Sequence, residues 1–194
     1  MAAAWLRDTR SGSAPEEAAS NYVFLKPGEW VLADEPTRVK TILGSCVAVT
    51  VRSPRLGLAA VTHCLLPNAG EAGESVDDTT APRYVDSALD IVFDAFARRG
   101  ALLAELEVKL VGGADGLTRE MSRGRYSVGA RNVRTALQEI ASRGLTPAVS
   151  VVGGRAGRVL VFDTATGNLF VKQLVSPHTK DSRTGKPGAI DGLE

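Results

Sequence analysis

The feature that most constrains the fold of this chain is a strand–turn–strand pattern over residues 47–63. In its first half, valine alternates with smaller or polar residues, a period of two that is typical of a β-strand. Ser53-Pro54-Arg55 follows as a turn, and residues 56–63 (LGLAAVTH) predict the returning strand. An antiparallel hairpin brings its outer ends together. We therefore expect Cys46, at one end, to lie beside His63 at the other.

The rest of the chain predicts two helices and several further strands. Apolar residues at spacings of three and four predict a helix over 83–99, closed by Gly100, and a second over 131–143. In the second helix, the apolar stripe contains Val133, Leu137 and Ile140. Strands are predicted within 22–31 and over 39–51 (interrupted at Gly44-Ser45), 106–111, 147–152, 158–163 and 169–174. This order indicates an α/β fold of the layered α+β kind, with helices packed on a largely antiparallel sheet.

Composition favours one globular domain in the cytosol. Of 194 residues, 44% are hydrophobic and 23% are charged, which are ordinary globular proportions. We predict a single domain over 21–175, between flexible tails over 1–20 and 176–194 that are small and polar. The net charge of +1 gives no electrostatic reason to expect nucleic acid or an anionic membrane as a partner. No signal peptide is evident, and no stretch approaches the roughly 18 apolar residues of a bilayer span.

Thiol and imidazole groups are scarce, which narrows the candidate chemistry. The chain has two cysteines, Cys46 and Cys64, and two histidines, His63 and His178. This count excludes a disulfide-stapled scaffold and a Cys/His-rich zinc module. His178 falls in the predicted C-terminal tail, without the rigid support that a catalytic group needs. Cys64 follows His63 on a strand, so the two side chains point to opposite faces, which also argues against shared zinc binding.

The remaining pair, Cys46 and His63, fits nucleophilic catalysis. An imidazole that accepts the thiol proton supplies the thiolate that attacks a substrate. Gly44 permits close approach of a substrate, and a hydroxyl at Thr41 or Ser45 could orient the imidazole or bind the substrate. The plain alternative is that Cys46 is a small buried hydrophobic residue, as most free cysteines are.

The glycine pairs Gly112-Gly113 and Gly153-Gly154 each follow a predicted strand. Neither has the spacing of a dinucleotide-binding or Walker A loop. Tight turns or a close approach of backbone beside a pocket are the favoured interpretation.

Around the candidate pair, the sequence resembles a known family. The segments Thr41-Ile-Leu-Gly-Ser-Cys46-Val-Ala-Val49 and His63-Cys-Leu-Leu-Pro67 resemble the CheD family, the chemoreceptor glutamine deamidases. The resemblance continues in the family's order at Arg83-Tyr-Val-Asp86, Val108-Lys-Leu-Val-Gly-Gly-Ala114, Val128-Gly-Ala-Arg-Asn132 and from Gly153 to Gly167. Together these segments span about residues 22–174.

The resemblance implies a fold and a site. The fold would be a CheD-like αββ sandwich. Cys46 would be the nucleophile, His63 the general base and Thr41 the third catalytic residue. Backbone N–H groups near Gly44 and Ser45 could bind the substrate or stabilise an oxyanion. No metal ion or organic cofactor is expected.

The resemblance also implies an activity and partners. The reaction would convert glutamine to glutamate and ammonia on methyl-accepting chemotaxis receptors, a protein-glutamine glutaminase activity of cytoplasmic chemotaxis. The CheC phosphatase is an implied partner, and some members are also credited with hydrolysis of receptor methyl esters. Two alternatives remain open: a non-catalytic regulatory module that binds receptors or CheC, and a thiol redox sensor that uses Cys46 and Cys64.

Overall fold

Two sheets and two α-helices make up the described part of the chain. The computed structural model describes residues 5–7, 22–70, 77, 79–115 and 127–174. The strands are β1 (Trp5–Arg7), β2 (Tyr22–Phe24), β3 (Trp30–Ala33), β4 (Arg38–Leu43), β5 (Val47–Ser53), β6 (Leu58–Thr62), β7 (Glu107–Gly112), β8 (Val149–Val152), β9 (Arg158–Asp163) and β10 (Leu169–Gln173). The helices are α1 (Val85–Arg98) and α2 (Val128–Ser142), with short 3₁₀ turns at Ala81–Arg83 and Leu103–Glu105.

The strands form two five-stranded sheets. The outer sheet has the order β1-β10-β9-β4-β2, and the central sheet has the order β3-β6-β5-β7-β8. Among these strands, β2 runs parallel to β4 and β8 runs parallel to β7, while the other neighbours are antiparallel. The predicted hairpin is present as β5 and β6, with Thr50 opposite Val61. The prediction of largely antiparallel sheets is confirmed.

The elements stack in three layers, with the central sheet in the middle. One face of the central sheet packs against α1 and α2, and the other face packs against the outer sheet. Alternation along β5 explains this: Val47, Val49 and Val51 face the helices, while Ala48 faces the outer sheet. A strand that is buried on both faces needs apolar residues at nearly every position. The predicted αβ layering, with two helices on one face, is confirmed.

The two helices differ in how well their sequence predicts the buried face. In α1, the predicted apolar stripe is buried, including Val85, Leu89 and Phe96. In α2, the buried positions are Gly129, Asn132, Ala136 and Ile140. Leu137, expected in the core, is instead 39% exposed. A close approach to the loop after β7, described below, turns the face that bears Gly129 and Asn132 inward.

The predicted strand over 39–51 is in fact two strands in different sheets. β4 belongs to the outer sheet and β5 to the central sheet. The chain crosses from one sheet to the other over residues 44–46, where the sequence interrupts the strand pattern with Gly44-Ser45. We call these three residues the crossing segment.

Part of the predicted N-terminal tail is a strand. Residues 5–7 pair with β10 as the last strand of the outer sheet, with Leu6 opposite Val171. Pairing satisfies the backbone groups that β10 would otherwise leave open at the sheet edge. The rest of both predicted tails, with His178, lies outside the described residues. Within the described ranges, neither helix has the length and apolar composition to cross a membrane.

Candidate active site

Cys46 lies in the crossing segment, and its partly exposed side chain packs against the core between the two sheets. The loop after β7 holds the backbone on both sides of it. The Gly113 N–H donates to the Cys46 carbonyl at 2.7 Å, and the Ala114 N–H donates to the Gly44 carbonyl at 2.8 Å. A Cβ at Gly112 would lie 2.2 Å from the Cys46 carbonyl oxygen, so this close approach requires glycine. The strand-ending glycine pair therefore supports the candidate nucleophile.

A residue that the sequence did not single out holds the remaining carbonyl of the crossing segment. Asn132 of α2 is fully buried, and its side-chain amide donates to the Ser45 carbonyl at 3.0 Å and to the Leu65 carbonyl at 2.9 Å. One signal in the sequence could have identified it: Asn132 precedes Ala136 and Ile140 at spacings of four, so a polar residue occupies a core position of an amphipathic helix.

The hairpin places His63 beside Cys46. Val47 and Cys64 form a bridge with hydrogen bonds of 3.0 Å and 2.8 Å between their backbones. Continuing this antiparallel register puts Cys46 opposite Leu65, so Cys46 and His63 are diagonal neighbours on one face. The imidazole, 1% exposed, lies on the face towards the outer sheet, as its contact with β4 shows.

The backbone of His63 is held by the turn before β3. The Gly28 N–H donates to the His63 carbonyl at 2.8 Å, and the His63 N–H donates to the Glu29 carbonyl at 2.9 Å. Gly28 adopts a φ of 81°, and a Cβ there would lie 2.9 Å from the Arg83 side chain. The turn thus fixes the position of His63 through both of its backbone groups.

Thr41 determines which imidazole nitrogen of His63 carries the proton. Its hydroxyl lies 2.7 Å from His63 Nδ1 and 2.7 Å from the Leu25 carbonyl oxygen. The carbonyl can only accept, so the single hydroxyl proton goes to Leu25, and the hydroxyl oxygen accepts from Nδ1–H. The neutral imidazole therefore has its lone pair on Nε2. That atom is buried and has no hydrogen-bond partner among the described residues.

Burial keeps both candidate groups uncharged near neutral pH. It lowers the pKa of His63 below its ordinary value, opposed by the Leu25 carbonyl and the charge of Glu29. It also raises the pKa of the Cys46 thiol, opposed by the residue's own backbone N–H. The arrangement is therefore a neutral thiol beside an unprotonated base, rather than a preformed ion pair.

Comparison with known proteins places the chain in a family. A family profile described as "CheD chemotactic sensory transduction" matches residues 65–173. The probable chemoreceptor glutamine deamidase CheD of Maridesulfovibrio salexigens is 40% identical over 159 residues, which covers 78% of this chain and 91% of that protein. Its counterpart CheD 2 of Geobacter sulfurreducens is 44% identical over 153 residues, which covers 79% of this chain and 90% of that protein.

The chain belongs to the CheD family. Among solved structures, YlmD from Geobacillus stearothermophilus aligns with a TM-score of 0.41 at 12% identity, over 74% of this chain and 60% of that one.

Cys64 of this CheD chain lies apart from the candidate site. Its side chain is fully buried in the core between the central sheet and the helices. Burial raises the pKa of this thiol to about 12. Cys46 packs on the opposite face, between the sheets, as strand alternation predicted. Across the part of the CheD chain that the structure describes, no three His, Cys, Asp or Glu side chains gather into a group that could hold a metal ion.

In the crossing segment of the CheD chain, Gly44 is exposed and Ser45 is partly exposed. A Cβ at Gly44 would meet nothing within 4 Å, so the space beside it is open. All three carbonyls of the crossing segment are held, whereas its N–H groups at Ser45 and Cys46 have no acceptor among the described residues other than the Cys46 thiol itself. N–H donors beside a thiol could bind a developing oxyanion.

Proposed function

We propose that this CheD protein hydrolyses the side-chain amide of glutamine on chemoreceptors, giving glutamate and ammonia. The observation that carries the proposal is the hydrogen bond from His63 to Thr41, which leaves the imidazole lone pair on Nε2, the atom that we propose as the base for Cys46. Family membership supports the choice of substrate, because both relatives described above are named probable chemoreceptor glutamine deamidases.

The first half of the proposed reaction forms a thioester. His63 Nε2 takes the proton of the Cys46 thiol, and the resulting thiolate attacks the carbon of the glutamine amide. The imidazolium then gives this proton to the amide nitrogen, and the carbon–nitrogen bond breaks to release ammonia. Protonation matters as much as attack, because an unprotonated amide nitrogen is a poor leaving group.

The second half hydrolyses the thioester. His63, neutral again, takes a proton from water, and the hydroxide attacks the thioester carbonyl. The carbon–sulfur bond breaks, the thiolate recovers the proton from His63, and glutamate leaves. Thr41 holds the imidazole in one orientation through both halves. The same thioester route could also hydrolyse a receptor methyl ester.

In both halves, the negative charge on the substrate oxygen needs a donor. The backbone N–H groups of Ser45 and Cys46, with Gly44 leaving open space beside them, supply candidate donors. This assignment rests on the held carbonyls of the crossing segment, because a planar peptide directs its N–H away from its carbonyl.

In the cell, we propose that the protein acts in the cytoplasm on the cytoplasmic helices of chemoreceptors. Each deamidation adds one negative charge to a helical bundle and so shifts the balance of the receptor's signalling states. A CheC-type phosphatase is the second proposed partner, and its binding would couple deamidation to signalling.

The experiment mixes the full chain with a receptor cytoplasmic fragment and measures ammonia release together with the mass of receptor peptides. We expect specific receptor glutamines to become glutamates, and we expect Cys46→Ala to abolish the conversion. Full activity in Cys46→Ala would show that Cys46 is not the nucleophile. If His63→Ala left Cys46 equally reactive towards iodoacetamide from about pH 6 to 9, His63 would not be its base. Tight receptor or CheC binding without turnover would favour the non-catalytic module.

A further inference from the structure

Asn132 joins the two segments that carry the candidate catalytic pair. One hydrogen of its side-chain amide bonds the Ser45 carbonyl at 3.0 Å, directly before Cys46. The other bonds the Leu65 carbonyl at 2.9 Å, two residues after His63. One side chain from α2 therefore links the crossing segment to the segment that follows β6.

A buried asparagine is energetically unfavourable at this helix position. Asparagine is a poorer helix former than alanine or leucine, and the other core positions of α2 include Ala136 and Ile140. Its Oδ1 atom is buried without a hydrogen-bond partner among the described residues. An apolar residue would avoid that unpaired oxygen but would leave two backbone carbonyls without this donor. The side chain is thus explained by the two carbonyls it holds.

The Ser45 carbonyl belongs to the same peptide plane as the Cys46 N–H. In a trans peptide these two groups point in opposite directions, so a donor on the carbonyl also aims the N–H. Because Asn132 approaches from the helix side, the Cys46 N–H is directed away from α2, and it acts on the thiol of its own residue. The second bond of Asn132, to the Leu65 carbonyl, holds the segment after β6, which contains His63, at a fixed distance from this peptide.

We infer that Asn132 is a positioning residue for the proposed deamidation, aiming the Cys46 N–H and setting the distance between the thiol and the imidazole. The inference rests on the proposed function for its catalytic meaning. It does not place Asn132 against the substrate, because the side chain is fully buried.

The test compares wild type with Asn132→Ala and Asn132→Ser in two measurements. The first is the pH profile of Cys46 alkylation by iodoacetamide, and the second is the kcat and KM of receptor deamidation. For Asn132→Ala we expect the alkylation midpoint to rise by about one pH unit, since the thiol loses the nearby base and the aimed N–H. We expect kcat to fall by about tenfold or more with KM unchanged. Asn132→Ser keeps one donor, so its alkylation midpoint and its kcat should lie between those of wild type and those of Asn132→Ala.

Ile140→Ala is the matched control, because Ile140 is buried on the same helix and has no hydrogen bond to either segment. It should lower the melting temperature without moving the alkylation midpoint. An unchanged midpoint in both Asn132 variants, or an equal shift in Ile140→Ala, would overturn the inference.

Two further readouts keep the inference testable. If the Asn132 variants do not fold, hydrogen exchange of the Asn132 side-chain amide in wild type decides: exchange as slow as that of the α2 backbone supports the two bonds, and rapid exchange refutes them. If wild type releases no ammonia from any receptor fragment, the proposed function fails, while the alkylation profile still tests the positioning role.

Discussion

Thr41 Oγ1 and His63 Nδ1 are hydrogen-bonded at 2.7 Å, and this bond connects the outer sheet to the chain at the end of a central-sheet strand. Thr41 is in β4 of the outer sheet, while His63 directly follows β6 of the central sheet. The bond is fully buried and continues to the Leu25 carbonyl. The orientation of the candidate base therefore depends on contact between the sheets, which makes Thr41 the first position to test.

We predict that Thr41→Val lowers kcat for deamidation by about tenfold or more, because the imidazole loses the acceptor that fixes its tautomer. It should also lower the free energy of unfolding by about 1–3 kcal/mol, since buried polar groups lose a partner. Nitrogen NMR shifts of His63 would report the loss of the single Nδ1–H tautomer. Thr41→Ser keeps the hydroxyl and should stay near wild type. A wild-type tautomer and rate in Thr41→Val would contradict the role of this bond.

The two cysteines should differ sharply in reactivity. Cys46 is partly exposed, whereas Cys64 is fully buried and its pKa is raised to about 12. We expect one added label per native chain after iodoacetamide treatment at about pH 9, and two after unfolding in urea. Intact mass spectrometry measures both numbers. In Cys46→Ala, the native chain should take up no label. Labelling of Cys64 in the folded protein would show that the redox alternative deserves priority.

Stability should depend on pH through His63. Burial lowers its pKa in the folded state, so between that value and the ordinary value of about 6.5 the unfolded chain binds more protons. The free energy of unfolding should therefore be highest above about pH 6.5 and should fall as the pH drops through the lowered pKa. Urea titrations from about pH 5 to 8 measure this, with His63→Gln as the non-titrating reference. Parallel curves for the two proteins would contradict the lowered pKa.

The glycine loop that supports Cys46 offers a matched pair of substitutions. Gly113 and Gly57 have similar φ angles of 67° and 63°. A Cβ at Gly113 would lie 2.3 Å from the Val133 side chain and 2.9 Å from the Gly129 carbonyl oxygen, whereas a Cβ at Gly57 meets nothing within 4 Å. Gly57→Ala should cost about 1 kcal/mol, from backbone strain alone.

Gly113→Ala should add a further cost of about 1–3 kcal/mol, because α2 must move away. It should also change the rate of Cys46 alkylation, since Gly113 donates to the Cys46 carbonyl. Urea unfolding and alkylation kinetics check both expectations. Equal effects of the two substitutions on stability and alkylation would show that the close approach contributes nothing.

Local patterns in the sequence were sufficient for the hairpin, for α1 and for the proximity of Cys46 to His63. Each follows from short-range periodicity and from the way a tight turn joins two strands. The crossing between sheets could not be read in this way, because β4 and β5 share one strand-like pattern and their separation depends on long-range partners. The strand pairing of residues 5–7 also depends on a distant partner, β10.

The supporting contacts of the site were equally hidden. The Leu25 carbonyl is a backbone group, and no side-chain pattern marks it. Asn132 was concealed by its type: hydrophobic periodicity in α2 selected Leu137, which is exposed, and passed over the polar residue that is fully buried. Its role becomes visible only when the two carbonyls it holds are known.

Because of the crossing segment, the geometry of the candidate site depends on the register between the two sheets. Side chains of β4 alternate, so a slip of one residue would replace Thr41 with Lys40 or Ile42, which now face away from the sandwich. A chain that has formed only the β5–β6 hairpin already holds Cys46 near His63, but it lacks the hydroxyl and the Leu25 carbonyl that orient the imidazole. Under the proposed mechanism, a chain whose sheets have not docked in register therefore lacks the oriented base that the Cys46 thiol needs.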